Sequence, residues 1–544
     1  MNKFTSQIIR SSLFYASEEM GIALRNSAYS PNIKERMDHS AALFDEQGDL
    51  LAQAEHIPVH LGSLPWGMKN TIKFLEDNSL TMEENSMILV NNPYIAGTHL
   101  NDVTLIRPIF FNGDLIAFAS NKAHHSDIGG KVPGSISSDA KSLYEEGLII
   151  DPVYLVRNGN IDRDIQSLFS INSRNPYERK GDLKAQIAAN LTGERRVKEI
   201  IEKYGKNEFL NATNESFEYA ERITKSKIRT MIKGTFEADE FLESPEGNDI
   251  RMHVAVTIKE DEILVNYDGT DRQVPSPLNA VFGVTISGVQ FVLRSIFGED
   301  VPVNHGTFRS IKILCKEGTV LNPTFPAPVS GGNVETSQRN ADLIFLAMSK
   351  AVPGKIPAAA GGSMNNIMMG GMYKNHTWAF YETIGVGLGG RMGQDGVDGV
   401  HSNMTNTMNT PIEDIERNLP LLITRYEFRP NSGGAGKFRG GCGLIREYKV
   451  LEGNVTITVL SDREKHKPWG LFGGESGQST KVSIFRNGKW RRIGTKATVE
   501  LSVGEIFRIE TAGGGGYGNP KERDKNLIRR DLQNGLITNI RYYE

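Results

Sequence analysis

Asn-Gly pairs set beside apolar runs constrain the fold of this chain more than any other local feature. Asn112-Gly113 stands between Phe110-Phe111 and Asp114-Leu115, Asn158-Gly159 follows Val156-Arg157, and Asn487-Gly488 follows Val482 and Ile484. A tight hairpin turn needs positive φ at both central residues, which Asn-Gly accepts at least steric cost. The stretch to about residue 160 therefore reads as β-rich, and a further β-rich unit is expected over about 420–520, where Val455, Ile457 and Val459 alternate.

Between these regions the pattern changes. Gly181-Asp182-Leu183 leads into an Ala-rich segment, and Phe217, Ala220, Ile228 and Met231 keep helical spacing, which predicts helix from about 180 to 233 with Gly234 as its cap. Met252, Val254, Val256 and Ile258, then Ile263, Val265 and Tyr267, predict a hairpin. Residues 328–410 are dense in Gly, Asn, Ser and Met, the composition of loops over a scaffold. A chain of 544 residues exceeds a single core, so several units are expected. The predicted fold class is α+β and multi-domain: 1–175 β-rich behind a leading helix, 176–235 helical, 236–415 mixed, and 416–544 β-rich with a Gly-rich tail.

Charge narrows the function. The 62 basic and 65 acidic side chains leave a formal net charge of -3, which favours neither nucleic acid nor an anionic membrane. The N-terminus carries Ile8, Ile9, Leu13, Met20 and Leu24 among polar residues, an amphipathic helix rather than a leader, and no apolar run approaches the roughly 18–20 residues of a membrane span. Two cysteines, Cys315 and Cys442, form no Cys-x-x-Cys pair and fit a reducing compartment as packed residues. A cytoplasmic protein is expected.

Candidate metal donors concentrate between residues 36 and 127: Asp38-His39, His56, His60, His99 with Asp102, and His124-His125-Ser126-Asp127. A divalent ion needs three or four N and O donors converging from separate segments. His99 and Asp102 can chelate from one turn, and His124 ends a run that pairs naturally with the strand after Asp102. Histidines that merely pack near one another are the alternative, since no sharp zinc signature occurs. Pro58 argues against a helix aligning His56 with His60.

Phosphate motifs are faint. Ser432-Gly433-Gly434-Ala435-Gly436-Lys437-Phe438 echoes a phosphate loop but has Asn431 in place of its leading Gly and Phe438 where Ser or Thr would bind magnesium. Asp268-Gly269-Thr270 is a similar echo, and both read better as turns. Gly513–Gly516 can bring backbone close to a ligand or another subunit, or form a permissive loop. No Gly-x-Ser-x-Gly elbow occurs, and no dinucleotide Gly-x-Gly-x-x-Gly opens a helix after a strand, which removes support for serine hydrolase and dehydrogenase readings.

Taken in order, Lys34-Glu35-Arg36-Met37-Asp38-His39-Ser40, Ile57-Pro58-Val59-His60-Leu61-Gly62-Ser63, Gly97-Thr98-His99-Leu100-Asn101-Asp102 and Ala123-His124-His125-Ser126-Asp127-Ile128-Gly129-Gly130 resemble the hydantoinase B/oxoprolinase family. The likeness continues through Tyr144-Glu145-Glu146-Gly147-Leu148, Gly332-Asn333-Val334-Glu335-Thr336-Ser337-Gln338-Arg339, Met404-Thr405-Asn406-Thr407 and Gly513-Gly514-Gly515-Gly516-Tyr517-Gly518, and so covers essentially the whole chain.

The resemblance implies a division of labour. A hydantoinase A-type partner binds ATP and phosphorylates the carbonyl oxygen of a small cyclic amide, such as 5-oxoproline, a hydantoin or another lactam. The B-type chain holds a divalent metal, zinc, manganese or iron, and opens the ring within a hetero-oligomer. Carried over, the metal ligands are Asp38, His99, Asp102 and His124, with His125 and Asp127 beside them, behind the ligands or in proton transfer. Asn101 stands where the family commonly has Pro, and the ligand spacing survives. An acetone- or acetophenone-carboxylase-like subunit, joining phosphorylated enol to bicarbonate, is the rival within the family; a non-catalytic scaffold for the ATP-binding subunit is the rival outside it. Asn333, Thr336 and Arg339 are expected to line the substrate pocket or to be packing loops.

Overall fold

A computed structural model describes residues 3–54, 56–541 and 543. Helices and strands are mixed along the chain and the strands form several sheets, the α+β architecture expected.

The sheet that carries the site has seven strands in the spatial order Leu50–Ala54, His39–Asp45, Asp114–His124, Asp102–Phe111, Met87–Val90, Val153–Arg157, Asn160–Ile161. Its centre is the long hairpin closed by Asn112-Gly113, whose φ values of 54° and 87° are those the turn demands. A β-bulge between Ile109 and Phe110 shifts the register set by the turn, and the shifted pairing places Asp102 directly opposite His124 at the far end of the hairpin.

The helix Pro176–Tyr204 crosses this hairpin with a polar buried face. Gln186 Nε2 donates to the carbonyl of Val103 and to Asn121 Oδ1, and Asn190 Nδ2 donates to the carbonyl of Leu105. Against it packs the N-terminal helix Lys3–Ser27, burying Ile9, Leu13, Met20 and Leu24 while Ile8 faces out. The helical stretch read as continuous is two helices, Pro176–Tyr204 and Lys206–Arg229, because Gly205 takes φ 92° between them. Gly234 is not a helix cap: the helix has already ended at Arg229, and Gly234 opens the strand Gly234–Glu243.

That strand pairs with Asp249–Ile258, which turns back into Ile263–Asn266 as the alternating pattern predicted. A third sheet joins His376–Thr383, Asn366–Tyr373, Val455–Leu460 and Lys496–Leu501, so residues distant in sequence share one layer. The fourth runs Leu421–Phe428, Leu444–Val450, Ile506–Glu510, Lys481–Arg486, Lys489–Ile493.

The Gly-rich segments are neither loops over a scaffold nor a free tail. They pack as extended chains, backbone against backbone: Gly390 N–H donates to Gly515 O (2.8 Å), Gly441 to Leu388 O (2.8 Å) and Gly514 to Gly441 O (2.9 Å). A Cβ on Gly514 would lie 2.0 Å from Leu388 O, and one on Gly515 2.0 Å from Trp469 O, so only glycine fits. The phosphate-loop echo belongs to this bundle. The N–H groups of Gly434, Lys437 and Phe438 are taken by the carbonyls of Gly514, Gly518 and Tyr517, which leaves no cradle for a phosphate there. Thr270 likewise closes a turn, its N–H on Tyr267 O and its hydroxyl on His253 O.

Both cysteines are free, Cys442 buried and Cys315 half-buried, with burial pushing the Cys315 thiol up to about 11. Among the described residues no helix is long and apolar enough to cross a membrane.

Candidate metal centre

The donors arrive from three local structures. Gly97, at φ 89°, ends the short helix Pro93–Ala96 against Ser63 O and the Trp66 ring, where a side chain would collide. The chain then turns so that Asp102 N–H donates to His99 O (3.1 Å), which places both side chains on one side. His124 comes from the opposite strand. Asn101 ties the two ends together, donating from Nδ2 to His125 O (2.9 Å) and accepting His125 N–H (2.8 Å) on its own carbonyl. Its presence in place of Pro thus adds a cross-link.

Three donor atoms form a nearly equilateral triangle: His99 Nε2 to Asp102 Oδ1 3.0 Å, His99 Nε2 to His124 Nδ1 3.1 Å, and His124 Nδ1 to Asp102 Oδ1 3.2 Å. All three residues are buried. An ion with bonds of about 2.0–2.2 Å separates adjacent donors by about 3 Å, so the triangle fits one face of a divalent coordination sphere. Hydrogen bonds alone serve it poorly, since two imidazole nitrogens and one carboxylate oxygen in mutual contact compete for the same protons.

Burial raises the pKa of Asp102, but His99, with hydrogen bonds from His124, His60 and His99, outweighs it and holds the carboxyl well below the ordinary range. Burial also depresses His124, which keeps its ring in the neutral form that binds metal.

Asp38 lies at the edge. Met37, at φ 55°, swings it inward, yet its Oδ2 is 3.9 Å from His124 Nδ1 and 3.4 Å from Asn32 Nδ2, outside the triangle. His60 sits behind Asp102, with Nε2 3.3 Å from Oδ2 and Nδ1 2.9 Å from Ser40 Oγ. Asn333, on a π-turn over Gly332–Thr336, donates to the same Oδ2 (3.4 Å), and its own Oδ1 is buried without a partner. Such π-turns are frequent at functional sites. The far nitrogens His99 Nδ1 and His124 Nε2 are also unpartnered, so the His124 ring is held by stacking on Tyr381, 4.6 Å between centroids and 14° between planes.

The structure turns the side chains of His125 and Asp127 away from the triangle. Successive residues of a strand point to opposite faces, and the His125 ring turns to Gln186 Oε1 (3.0 Å) and the edge of Phe169. Asp127 accepts the N–H groups of Gly129, Gly134 and Arg174 and pairs with the Arg174 guanidinium (2.9 Å), which makes it the clamp of the following loop. The His39 and His56 rings meet each other instead, tilted at 58° with centroids 5.2 Å apart. Thr336 donates to Leu278 O, and Arg339 pairs with Asp462, so both serve packing rather than a pocket.

Two corners of the triangle, Asp102 and His124, face a narrow cavity of about 10 Å³ lined also by Asp38, His60, Asn333, Tyr381, Thr383, Thr405 and Thr407. A more open pocket of about 300 Å³ lies on the other side of Tyr381, bounded also by Asn32, Ser126 and Glu178. Tyr381 is the wall between them. Sequence reasoning missed this ring and the threonines, although the motif containing Thr405 and Thr407 had marked their segment.

Fold and site together define a multi-sheet α+β protein with a buried triangle of two histidines and one aspartate. The chain belongs to the hydantoinase B/oxoprolinase family, whose profile matches residues 2–520. An uncharacterized protein of Methanocaldococcus jannaschii is 51% identical over 99% of this chain and 94% of its own length. A putative B-type D-/L-hydantoinase subunit of Pseudomonas is 33% identical, covering 99% and 93%. The 5-oxoprolinase of Dictyostelium discoideum is 33% identical over 92% of this chain but only 39% of its own length, so this chain spans about two-fifths of that protein. Among solved structures, the ATP-dependent caprolactamase of Pseudomonas jessenii superposes with TM-score 0.92 at 30% identity, covering 99% of this chain and 94% of the other. Acetone carboxylase gives TM-score 0.92 at 19% identity over 98% and 78%, a likeness of fold.

Proposed function

We propose that this chain is the metal-holding, ring-opening component of an ATP-dependent cyclic-amide hydrolase, and that a separate ATP-using subunit activates the substrate. The observation that carries the reading is the buried His99–Asp102–His124 triangle in a chain that shares its fold and 30% of its residues with an ATP-dependent caprolactamase. The B-type hydantoinase relative of nearly equal length supports a separate partner, and the longer 5-oxoprolinase supports the same activity with more chain present.

His99, Asp102 and His124 would hold the ion, with Asp38 at the rim. A divalent ion there supplies Lewis acidity and lowers the pKa of bound water toward neutrality. Asp102 contributes charge, and His60 and Asn333 hold its second oxygen so that Oδ1 stays turned to the histidines. Tyr381 covers the site and keeps bulk water out, which strengthens electrostatic interactions inside. The unpartnered Asn333 Oδ1 offers an acceptor for a ring N–H. That group is present in a cyclic amide and absent from a simple ketone, which favours hydrolysis over carboxylation. Ring opening forms a C–O bond from water and breaks the C–N bond, the electron pair going to the ring nitrogen with a proton from that water, and an acceptor at the resulting N–H stabilises that form. His125 and Asp127 take no part in proton transfer in this reading.

The test is substrate-dependent ADP release by this chain together with its ATP-using partner, over 5-oxoproline, hydantoin, caprolactam and simple ketones, with and without bicarbonate. ADP release with a cyclic amide alone, accompanied by the ring-opened acid, is the expected result. A strict need for ketone plus bicarbonate would replace the proposal with a carboxylase.

A further inference from the structure

Arg36 is fully buried, and among the described residues no carboxylate lies within ion-pair reach of it. Its donors go to neutral acceptors: Met408 O (3.1 Å), Tyr381 O (3.0 Å), Asn32 Oδ1, and the hydroxyls of Thr383 (2.7 Å) and Thr407 (3.4 Å). The guanidinium also lies 4.8 Å from the Tyr381 ring centroid. A buried charge without a counter-charge is costly, and hydrogen bonds to neutral acceptors offset only part of that cost, so such a site favours an anion within reach.

The hydroxyls next to it point to where. Thr383 Oγ1 is 2.9 Å from Thr407 Oγ1, which is 3.5 Å from Thr405 Oγ1, and all three line the cavity that Asp102 and His124 face. Arg36 donates into this chain, so the oxygens nearest it act as acceptors. Three hydroxyl protons serve two hydroxyl–hydroxyl contacts, and one proton remains. Among the described residues no other acceptor takes it, so it is directed into the cavity. Formal charge agrees: Asp38 and Asp102 balance a divalent ion, and Arg36 leaves one positive charge over.

We propose that Thr383, Thr405 and Thr407, polarised by Arg36, form the subsite for an anionic phosphoryl oxygen of the activated substrate. This inference rests on the proposed function and names the group that its substrate brings. The cavity has about 10 Å³ open to a water-sized centre, room for one such oxygen rather than for the ring. Arg36 acts through the hydroxyls as a positioning residue, and the threonines touch the ligand.

The experiment uses the full chain loaded with manganese and inorganic phosphate as probe, read by paramagnetic relaxation of the phosphorus resonance. Wild-type protein is expected to bind phosphate, and Thr407→Val and Thr383→Val, which keep shape and remove a donor, are expected to weaken it about tenfold or more with metal content unchanged. Unchanged phosphate affinity in both variants overturns the proposal, as does bicarbonate occupying the site while phosphate is excluded. With the partner and a cyclic amide, Thr407→Val should continue to release ADP while yielding less ring-opened acid per ADP. A preserved ratio with only weaker product inhibition by phosphate would show a site for free phosphate and also overturn it. If wild-type protein binds phosphate but no cyclic amide elicits ADP release, the proposed function fails and the subsite does not.

Discussion

Replacing His60 by Ala tests whether the triangle is a metal site at all, because His60 touches the aspartate and not the ion. Ser40 Oγ accepts the Ile57 N–H (3.3 Å) and is left with its hydroxyl proton for His60 Nδ1 (2.9 Å). That arrangement puts the ring proton on Nε2, where it donates to Asp102 Oδ2. Without His60 this oxygen keeps only the 3.4 Å contact from Asn333, and the carboxylate is free to rotate. Losing a partner of this kind lowers metal affinity by about 10–100-fold, or about 1.4–2.8 kcal/mol. At a metal concentration of about 1,000 Kd for wild type, the ion stabilises the fold by about 4 kcal/mol, and in His60→Ala by about 1.4–2.7 kcal/mol. The assay is competition with a fluorescent chelator, paired with thermal unfolding with and without metal. His56→Ala, which removes a ring in tilted contact with His39 and 3.5 Å from Glu18, is the control and should change neither. A folded His60→Ala protein with wild-type metal affinity would refute the assigned geometry.

Asp127→Ala should cost roughly 3 kcal/mol or more in denaturant unfolding, because it strands three backbone N–H groups and the Arg174 guanidinium; metal content per folded chain should stay full, and its loss would return Asp127 to the site. Glu335 is buried, and burial followed by repulsion from Asp462 pushes its carboxyl up to about 8. A pKa raised on folding gives stability that is present below about 4.5 and lost as pH rises toward about 8, so Glu335→Gln should flatten that decline, which for one group is at most about 1.4 kcal/mol per pH unit; an unchanged pH profile refutes it. Gly514→Ala should destabilise the C-terminal bundle by several kcal/mol in thermal unfolding, since its Cβ would sit 2.0 Å from Leu388 O and the chains on either side are hydrogen-bonded in place; a fall in Tm of only a degree or two would contradict the close packing.

What the sequence made legible, and what it hid, follow one physical division. Asn112-Gly113 announced a hairpin, but the turn by itself would set Asp102 against Ala123; a β-bulge between Ile109 and Phe110, which no local signal marks, shifts the pairing and brings two corners of the triangle, Asp102 and His124, opposite each other. The third, His99, followed from a three-residue turn. Asp127 and His125 looked equivalent to their neighbours because identity and spacing carry no direction, whereas strand alternation and three waiting N–H groups decide where each side chain points. The glycine runs misled for the opposite reason. A sequence shows permissive backbone, but nothing local says that Leu388, Gly441 and Gly514 will lie side by side and exclude every Cβ. Arg36 is the sharpest case. Nothing in its motif distinguishes it from a surface arginine, and only the folded chain, which brings Thr383 and Thr407 to it from about 350 residues away and leaves it without a counter-charge, gives it a meaning. Charges that the fold buries without a counter-charge are therefore where the structure adds most to the reading, because a sequence shows neither their burial nor the acceptors that gather round them.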